Sequence, residues 1–237
     1  MRIRKAVITA AAPAQRRLPL QMLIDRGGQE RAVLGILLEE VVQARVDEIA
    51  VIVHPGDAGV YAQVCGDHAG RVRFIEQHDA RGYADAIWRA RDFVAGEPFL
   101  HLVSDHLAVS RAADGCAASL VEVAEAEDCT VSAVQPTREG ELTRFGAVGG
   151  QRVGAKPGLY QVDTVLEKPT PTEAEQRIIV PGLRAGHYLC FFGMHVLTPA
   201  VMELLDQVLK DRAARPTLSA ALGLLPRRER YLALSMS

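Results

Sequence analysis

The sequence has few cysteines, and none of them is placed for a disulfide framework or a zinc site. Its 237 residues contain four cysteines, with no CxxC pair and no spacing that matches a structural zinc motif. This usage is typical of reduced thiols in a cytoplasmic protein. The four are Cys65, Cys116, Cys129 and Cys190.

The sequence also lacks a strong net charge and a long apolar run. The formal net charge is −2, which is too small to attract nucleic acid or an anionic membrane, so local groups must hold any anionic ligand. No apolar stretch is long enough to span a bilayer. The opening segment MRIRKAVITAAA precedes Gln15, Arg16 and Arg17 and fits a buried strand better than a signal peptide. We therefore expect a cytoplasmic protein with no membrane or nucleic-acid partner.

No internal repeat and no linker rich in serine or glycine divides the chain. Hydrophobic residues make up 49% and charged residues 24% of the sequence, as in an average soluble domain. We expect residues 1–237 to form one domain. The oligomeric state is left open, with a homo-oligomer among the alternatives.

The sequence does contain a regular alternation of apolar β-branched segments and helical patterns. This order indicates parallel βαβ units with helices on both faces of a sheet. Strands are predicted at 5–11, 48–53, 71–75, 99–103 and 130–134, and helices at 30–45, 59–65, 83–94 and 112–126.

The pattern changes after Pro136, where paired strands joined by a Gly-rich turn are predicted. An antiparallel excursion here makes the expected fold class a single-domain, Rossmann-like α/β fold with a mixed, mainly parallel sheet. The segments are strands at 145–149, 159–167 and 188–196, and helices at 201–210 and 216–225.

Asp105 follows the apolar strand 99–103, where a carboxylate gains nothing from packing. Ligands of open α/β sheets bind outside the carboxyl ends of the strands. A carboxylate there can hold Mg²⁺, which prefers oxygen ligands and shares them with phosphates. The alternative is an aspartate that only caps the following turn.

Two basic segments are candidates for phosphate binding. Arg16 and Arg17 lie in the loop after the first strand, where guanidinium groups suit a triphosphate, although a solvated basic loop is an equal alternative. In Glu167-Lys168-Pro169, alternation along an extended segment sends the first two side chains to opposite faces, so one of them could enter a cleft. A surface ion pair is the alternative there.

Four histidines have no metal-ligand spacing and are interpreted as scattered polar and core residues: His101, His106, His187 and His195.

Taken in order, these segments resemble the bacterial UTP–glucose-1-phosphate uridylyltransferase branch of the sugar-1-phosphate nucleotidyltransferases, across roughly residues 3–225. Glu167-Lys168-Pro169 is identical to the family's Glu-Lys-Pro, and Leu197-Thr198-Pro199 to its Leu-Thr-Pro. Further matches are the opening strand with Arg16 and Leu18-Pro19, Gln77, Gly82 with Ala86, Asp105, and Arg144-Phe145-Gly146.

The resemblance implies an enzyme that joins a nucleoside monophosphate from a nucleoside triphosphate, UTP first, to a sugar 1-phosphate and releases pyrophosphate. It implies Mg²⁺ as cofactor, held by Asp105. The implied catalytic residues are Arg16, Asp105 and Lys168. The implied nucleotide-binding residues are Ala11, Ala12, Ala14, Gln77 and Gly82, and the implied sugar-binding residues are Gly146, Glu167 and Gly193.

The first loop departs from the family's Gly-x-Gly-Thr. Ala12 and Ala14 stand at the glycine positions, Gln15 at the threonine, and Pro13 removes a backbone donor. Near the base, Asp85 replaces the family's histidine. Two hypotheses remain: a working transferase with altered substrate choice, or a non-catalytic module that binds a sugar phosphate or a nucleotide.

Overall fold

The computed structural model describes residues 1–25, 27–79, 81–109, 115–154, 157–210 and 216–236. The strands are β1 (Lys5–Thr9), β2 (Met22–Ile24), β3 (Glu30–Ala32), β4 (Glu48–Val53), β5 (Val72–Glu76), β6 (Phe99–Val103), β7 (Thr130–Arg138), β8 (Gly146–Arg152), β9 (Leu159–Glu167), β10 (His187–Leu197) and β11 (Tyr231–Ser235). The α-helices are α1 (Val33–Gln43), α2 (Ala58–Ala62), α3 (Tyr83–Trp88), α4 (Arg91–Val94), α5 (Gly115–Glu127), α6 (Pro171–Arg177), α7 (Pro199–Lys210) and α8 (Leu218–Leu222). Within these ranges, no helix has the length and apolar character needed to cross a membrane.

Nine strands form one mixed sheet in the order β5-β4-β1-β6-β10-β7-β11-β9-β8. The four strands on the β5 side are all parallel, which places their carboxyl ends along one edge. Antiparallel pairing begins at β10, which runs against both β6 and β7, and β11 lies parallel to β7 and antiparallel to β9. The α/β fold class with a mixed sheet and helices is therefore confirmed.

Helices cover both faces because alternate strand residues point to opposite sides of the sheet. In β1, Ala6 and Ile8 belong to the core beneath α1 and α5, whereas Val7 belongs to the core beneath α3, α7 and α8. Nearly every residue of β1, β4 and β6 is buried, which explains why these strands read as continuous apolar runs.

The helix predicted at 30–45 begins at Val33, three residues after the predicted start. Glu30–Ala32 instead forms β3, which pairs with β2 in a two-stranded sheet separate from the main one. The three residues of β2 are exposed and only Ala32 of β3 is buried, so this hairpin carries too little buried surface for a periodicity to be read.

Several elements differ from the sequence prediction in other ways. The segment 83–94 forms two helices, α3 and α4, rather than one. Helix α6 was missed, although Thr170 and Glu173 form a capping box around a proline in the first turn. Strand β11 was also missed, and the first residues of the predicted helix at 112–126 lie outside the described ranges.

Candidate functional site

A cavity of about 490 Å³ lies at the carboxyl ends of β1 and β6. Residues from seven separate parts of the chain line it, from the end of β1 to the start of α8. The parallel strands supply one wall because their carboxyl ends share an edge. Of the predicted site residues, the following line the cavity: Ala11, Ala12, Gln77, Gly82, Asp105, Gly146, Glu167, Lys168 and Gly193.

Arg16 and Ala14 are the predicted site residues that do not line this cavity. The Arg16 guanidinium turns towards the start of α2, where Nη1 lies 3.3 Å from Asp57 Oδ2 and 3.0 Å from His54 Nδ1. Its carbonyl oxygen accepts a hydrogen bond of 2.6 Å from the Tyr61 hydroxyl. The catalytic role of Arg16 stays a prediction, and it requires the side chain to leave Asp57.

The loop after β1 folds as a compact turn with ordinary backbone angles. The amide N–H groups of Gln15 and Arg16 both donate to the carbonyl oxygen of Ala12, at 3.0 and 2.9 Å. Among the described non-glycine residues, those with positive φ are Arg45, Ala95, Asp128 and Lys168, so no residue of this loop adopts that conformation. The amides that a glycine-rich loop would offer to phosphates are therefore partly used within the turn itself.

Asp105 comes two residues after β6, and its Oδ1 accepts a hydrogen bond of 2.9 Å from His106 Nδ1. This hydrogen bond lowers the pKa of the Asp105 carboxyl and raises that of the His106 imidazole. The Asp105 side chain is 18% exposed and borders the cavity, so an ionised carboxylate faces the ligand space.

Glu167 and Lys168 both line the cavity, contrary to the expectation that alternation would send them to opposite faces. Strand β9 ends at Glu167, and Lys168 has a φ of 47°, in the left-handed region. Its amide N–H donates to the carbonyl oxygen of Phe145 at 3.1 Å. A non-glycine residue in this conformation costs about 1–2 kcal/mol, and such strain is frequent at functional sites.

Two glycines pack closely against the side chains around the cavity. A Cβ on Gly146 would lie 2.6 Å from Ser219 Oγ and 3.3 Å from Glu167 Oε2. Gly193 lies in the irregular part of β10 with a φ of 84°, where a Cβ would collide with the side chain of Val103. A larger residue at Gly146 would displace cavity-lining side chains such as those of Ser219 and Glu167, and one at Gly193 would displace Val103 at the end of β6.

Gln77 follows β5 and is 6% exposed. Its Nε2 donates to the Gly82 carbonyl oxygen at 3.2 Å and to Asp85 Oδ2 at 2.7 Å. The side chain predicted to contact the base is therefore held by two acceptors from the start of α3.

Tyr83, His101 and His195 form a polar group that sequence reasoning did not find, and Tyr83 and His195 line the cavity. His101 Nδ1 donates to the Val7 carbonyl oxygen at 2.9 Å, so its Nε2 must accept the hydrogen bond of 2.6 Å from the Tyr83 hydroxyl. Burial lowers the pKa of His101 to about 4 and lowers that of His195 well below its usual range, with His101 adding to the shift at His195. Burial, and then the carboxylates of Asp105 and Glu167, raise the pKa of Tyr83. A histidine inside the apolar strand β6 was the signal available in the sequence.

Known proteins resemble this chain over nearly its whole length. The nucleotidyl transferase family profile matches residues 16–224. A UTP–glucose-1-phosphate uridylyltransferase of Streptococcus pneumoniae serotype 4 (strain ATCC BAA-334 / TIGR4) is 25% identical over 98% of this chain and 83% of that protein. One from Streptococcus pyogenes is 24% identical over 98% of this chain and 81% of that protein.

Two solved structures have the same fold. A UDP-glucose pyrophosphorylase complexed with UDP-glucose superposes with a TM-score of 0.80 at 18% identity, covering 99% of this chain and 91% of that one. A UTP-bound UGPase from Acinetobacter baumannii gives a TM-score of 0.75 at 16% identity, covering 99% and 86%. Since the family profile spans most of the sequence, the chain belongs to the nucleotidyl transferase family.

Proposed function

We propose that this enzyme transfers the uridylyl group of UTP to a sugar 1-phosphate, glucose 1-phosphate first, and releases pyrophosphate. The observation that carries the proposal is the convergence of Gln77, Asp105, Glu167 and Lys168 on one cavity, from strands far apart in the sequence. The names of the relatives and of the structural neighbours support the same nucleotide and sugar.

In the proposed reaction, a phosphate oxygen of the sugar 1-phosphate attacks the α-phosphorus of UTP. The bond from that phosphorus to the bridging oxygen breaks, and pyrophosphate takes the electron pair. The residues of the chain act mainly by positioning and charge neutralisation. Lys168 holds the sugar phosphate, and Glu167 accepts hydrogen bonds from sugar hydroxyls. Gln77 and Gly82 hold the base.

The donor set around Asp105 fits Mg²⁺ as the proposed cofactor. Mg²⁺ is usually bound by one or two carboxylates together with substrate phosphates and water. Asp105 offers its Oδ2, because Oδ1 is occupied by His106. When bound, the ion neutralises charge on the triphosphate. Asp105 would hold the ion, and Lys168 would add a positive charge to the same cavity.

We further propose that residues 1–237 act as one cytoplasmic domain. One nine-stranded sheet takes in strands from Lys5 to Ser235, and the four cysteines are buried thiols that are not joined in disulfides. Light scattering on the purified chain distinguishes a monomer from a homo-oligomer.

The test is pyrophosphate release from UTP and glucose 1-phosphate with and without Mg²⁺, together with calorimetric titration of each substrate. Magnesium-dependent release supports the proposal. Binding of glucose 1-phosphate without turnover supports the non-catalytic module, which the pairing of Arg16 with Asp57 and the loss of loop glycines favour.

A further inference from the structure

Asp85 is a buried carboxylate directly behind the wall of the cavity. Its side chain is 0% exposed, and its Oδ2 accepts hydrogen bonds from Gln77 Nε2 at 2.7 Å and from Arg89 Nε at 3.3 Å. Oδ1 is fully buried and, within the described residues, has no hydrogen-bond partner. A buried polar atom without a partner destabilises a fold, so its presence calls for an explanation.

The contacts of Asp85 decide which way the Gln77 amide faces. The two hydrogens of Nε2 are both used, one by Asp85 Oδ2 and one by the carbonyl oxygen of Gly82 at 3.2 Å. If the amide were turned over, Oε1 would face a carboxylate oxygen and a carbonyl oxygen, lone pairs against lone pairs. The hydrogen-bond partners therefore fix the orientation of the Gln77 amide.

With Nε2 occupied, Oε1 is the part of the Gln77 amide left for a ligand. Gln77 lines the cavity, and no described residue donates a hydrogen bond to Oε1. Oε1 is also not among the buried polar atoms that lack a partner in the described ranges, so it is open to the cavity. A glutamine can usually present either a donor or an acceptor, whereas this one presents an acceptor alone.

We propose that Asp85 is a positioning residue that makes Gln77 an acceptor towards the cavity and thereby selects bases with a ring N–H. This inference rests on the proposed function and deepens it. The N3 atom of uracil carries a hydrogen that Oε1 can accept. The N3 atom of cytosine carries a lone pair instead, which Oε1 repels. A site that presents an unmatched polar group rejects the wrong ligand strongly, because the buried group is left unpaired.

A purely structural role for Asp85 makes a different prediction. If Asp85 only tied α3 to the end of β5, its loss would weaken the binding of every nucleotide by the same factor. The positioning role changes the ratio between two nucleotides of equal size and charge. The ratio of UTP to CTP affinity therefore separates the two roles.

The experiment measures the dissociation constants of UTP and CTP by calorimetry for the natural chain and for Asp85→Asn. Asparagine can accept from Gln77 Nε2 or donate to Oε1, so only the Gly82 carbonyl oxygen would still oppose a turned amide. We expect the preference for UTP to fall about tenfold, as for the loss of one charge-assisted hydrogen bond. Asp85→Ser removes the carboxylate without added bulk and serves as the second variant if Asp85→Asn folds poorly. We expect the same change in the ratio of UTP to CTP affinity.

The matched control is Asp79→Asn. Asp79 also faces Arg89, at 3.8 Å, but its side chain is 76% exposed. It is not among the partners of the Gln77 amide, so the ratio should not change. An unchanged ratio in both Asp85 variants overturns the inference, as does equal affinity of the natural chain for UTP and CTP. A preference for UTP without pyrophosphate release overturns the proposed function and leaves the inference standing, and binding of neither nucleotide overturns both.

Discussion

The triphosphate end of the cavity is the loop at 11–17, and the sugar end is formed by Gly146, Glu167, Lys168 and Gly193. At the triphosphate end, the backbone has ordinary angles, the amides of Gln15 and Arg16 donate within the turn, and the Arg16 side chain faces Asp57. At the sugar end, a strained lysine and two close-packed glycines hold a defined shape. Strain persists only where the surroundings impose it, so the sugar end is the more strictly specified of the two.

Replacing Asp105, which lies between the two ends, should have the largest effect. We expect Asp105→Asn to lower the rate of pyrophosphate release by about 10²–10³-fold, as for loss of a group that stabilises charge in the transition state. Thermal unfolding should be little changed, since the side chain borders the cavity. The exposed Asp67→Asn is the control. Equal rates for Asp105→Asn and the natural chain would remove Asp105 from the metal role.

Lys168 gives a sharper test of the sugar end, because charge and strain can be separated there. We expect Lys168→Ala and Lys168→Gly both to weaken glucose 1-phosphate binding by about 1.5–3 kcal/mol, the value of a charged hydrogen bond. The glycine variant should be more stable to urea than the alanine variant by about 1 kcal/mol, because glycine adopts positive φ freely. Lys210→Ala, on α7, is the control for binding. Unchanged sugar-phosphate affinity in both variants would refute the assignment.

The histidines beneath the sugar end predict a pH dependence of stability. The folded pKa of His101, about 4, and that of His195 lie below the ordinary value of 6.5, so the unfolded chain takes up their protons first. The stabilisation that comes from keeping the two imidazoles neutral is complete above pH 6.5 and is lost as the pH falls towards 4. For each histidine, the free energy of unfolding falls by up to about 1.4 kcal/mol per pH unit. His106, with a raised pKa, opposes part of this loss.

The free energy of unfolding in urea, measured between pH 7.5 and 4.5, gives the slope of stability against pH. His101 faces Tyr83 and His195, and a neutral His101→Gln variant should flatten the slope. Stability that does not change over this range would mean that the pKa values of the two imidazoles are the same in the folded and the unfolded chain.

At the triphosphate end, the altered loop should make UTP binding weak and sensitive to salt, since side-chain charges are screened more than buried amides. Glycine at Ala12 and Ala14, with alanine at Pro13, should tighten UTP binding by about tenfold, because freed amides make charge-assisted hydrogen bonds. Titration at low and moderate salt tests both statements. Tight, salt-insensitive UTP binding by the natural chain would contradict the proposed difference between the triphosphate end and the sugar end of the cavity.

The smallest effect concerns the ion pair that holds Arg16. Asp57→Asn should strengthen UTP binding by a few-fold, since a partly exposed pair is worth about 0.5–1 kcal/mol and its loss frees the guanidinium. Asp47→Asn removes a comparable pair with Arg4, at 3.0 Å, and should not change UTP binding. A weaker affinity in Asp57→Asn would show that Asp57 holds Arg16 where the nucleotide needs it.

The sequence predicts the parallel half of the fold well, because β1, β4 and β6 are buried on both faces and stand out as apolar runs. It fails where local pairing overrides periodicity, as in the exposed hairpin of β2 and β3. The missed α6 carried a readable signal in Thr170 and Glu173.

For the site, ordered motifs were enough to find most of the cavity wall. They could not predict that Arg16 meets Asp57 or that Lys168 leaves the strand with positive φ, because both depend on geometry formed after folding. The link between Gln77 and Asp85 was equally hidden. Asp85 stood out only as a departure from the resembling family.

The position of β11 in the sheet affects the order in which the strands pair during folding. Tyr231 pairs with Thr130, so the contact joins parts of the chain about a hundred residues apart, and the β8–β9 hairpin meets the rest of the sheet through β11 and β10. Contacts between distant segments form slowly, because a long loop must close first. In the parallel half, β4 pairs with β1 and β5 across shorter separations, but β1 also pairs with β6, where Lys5 lies opposite Phe99. A refolding chain would therefore join β1, β4 and β5 early, and would pair β1 with β6 and β7 with β11 later.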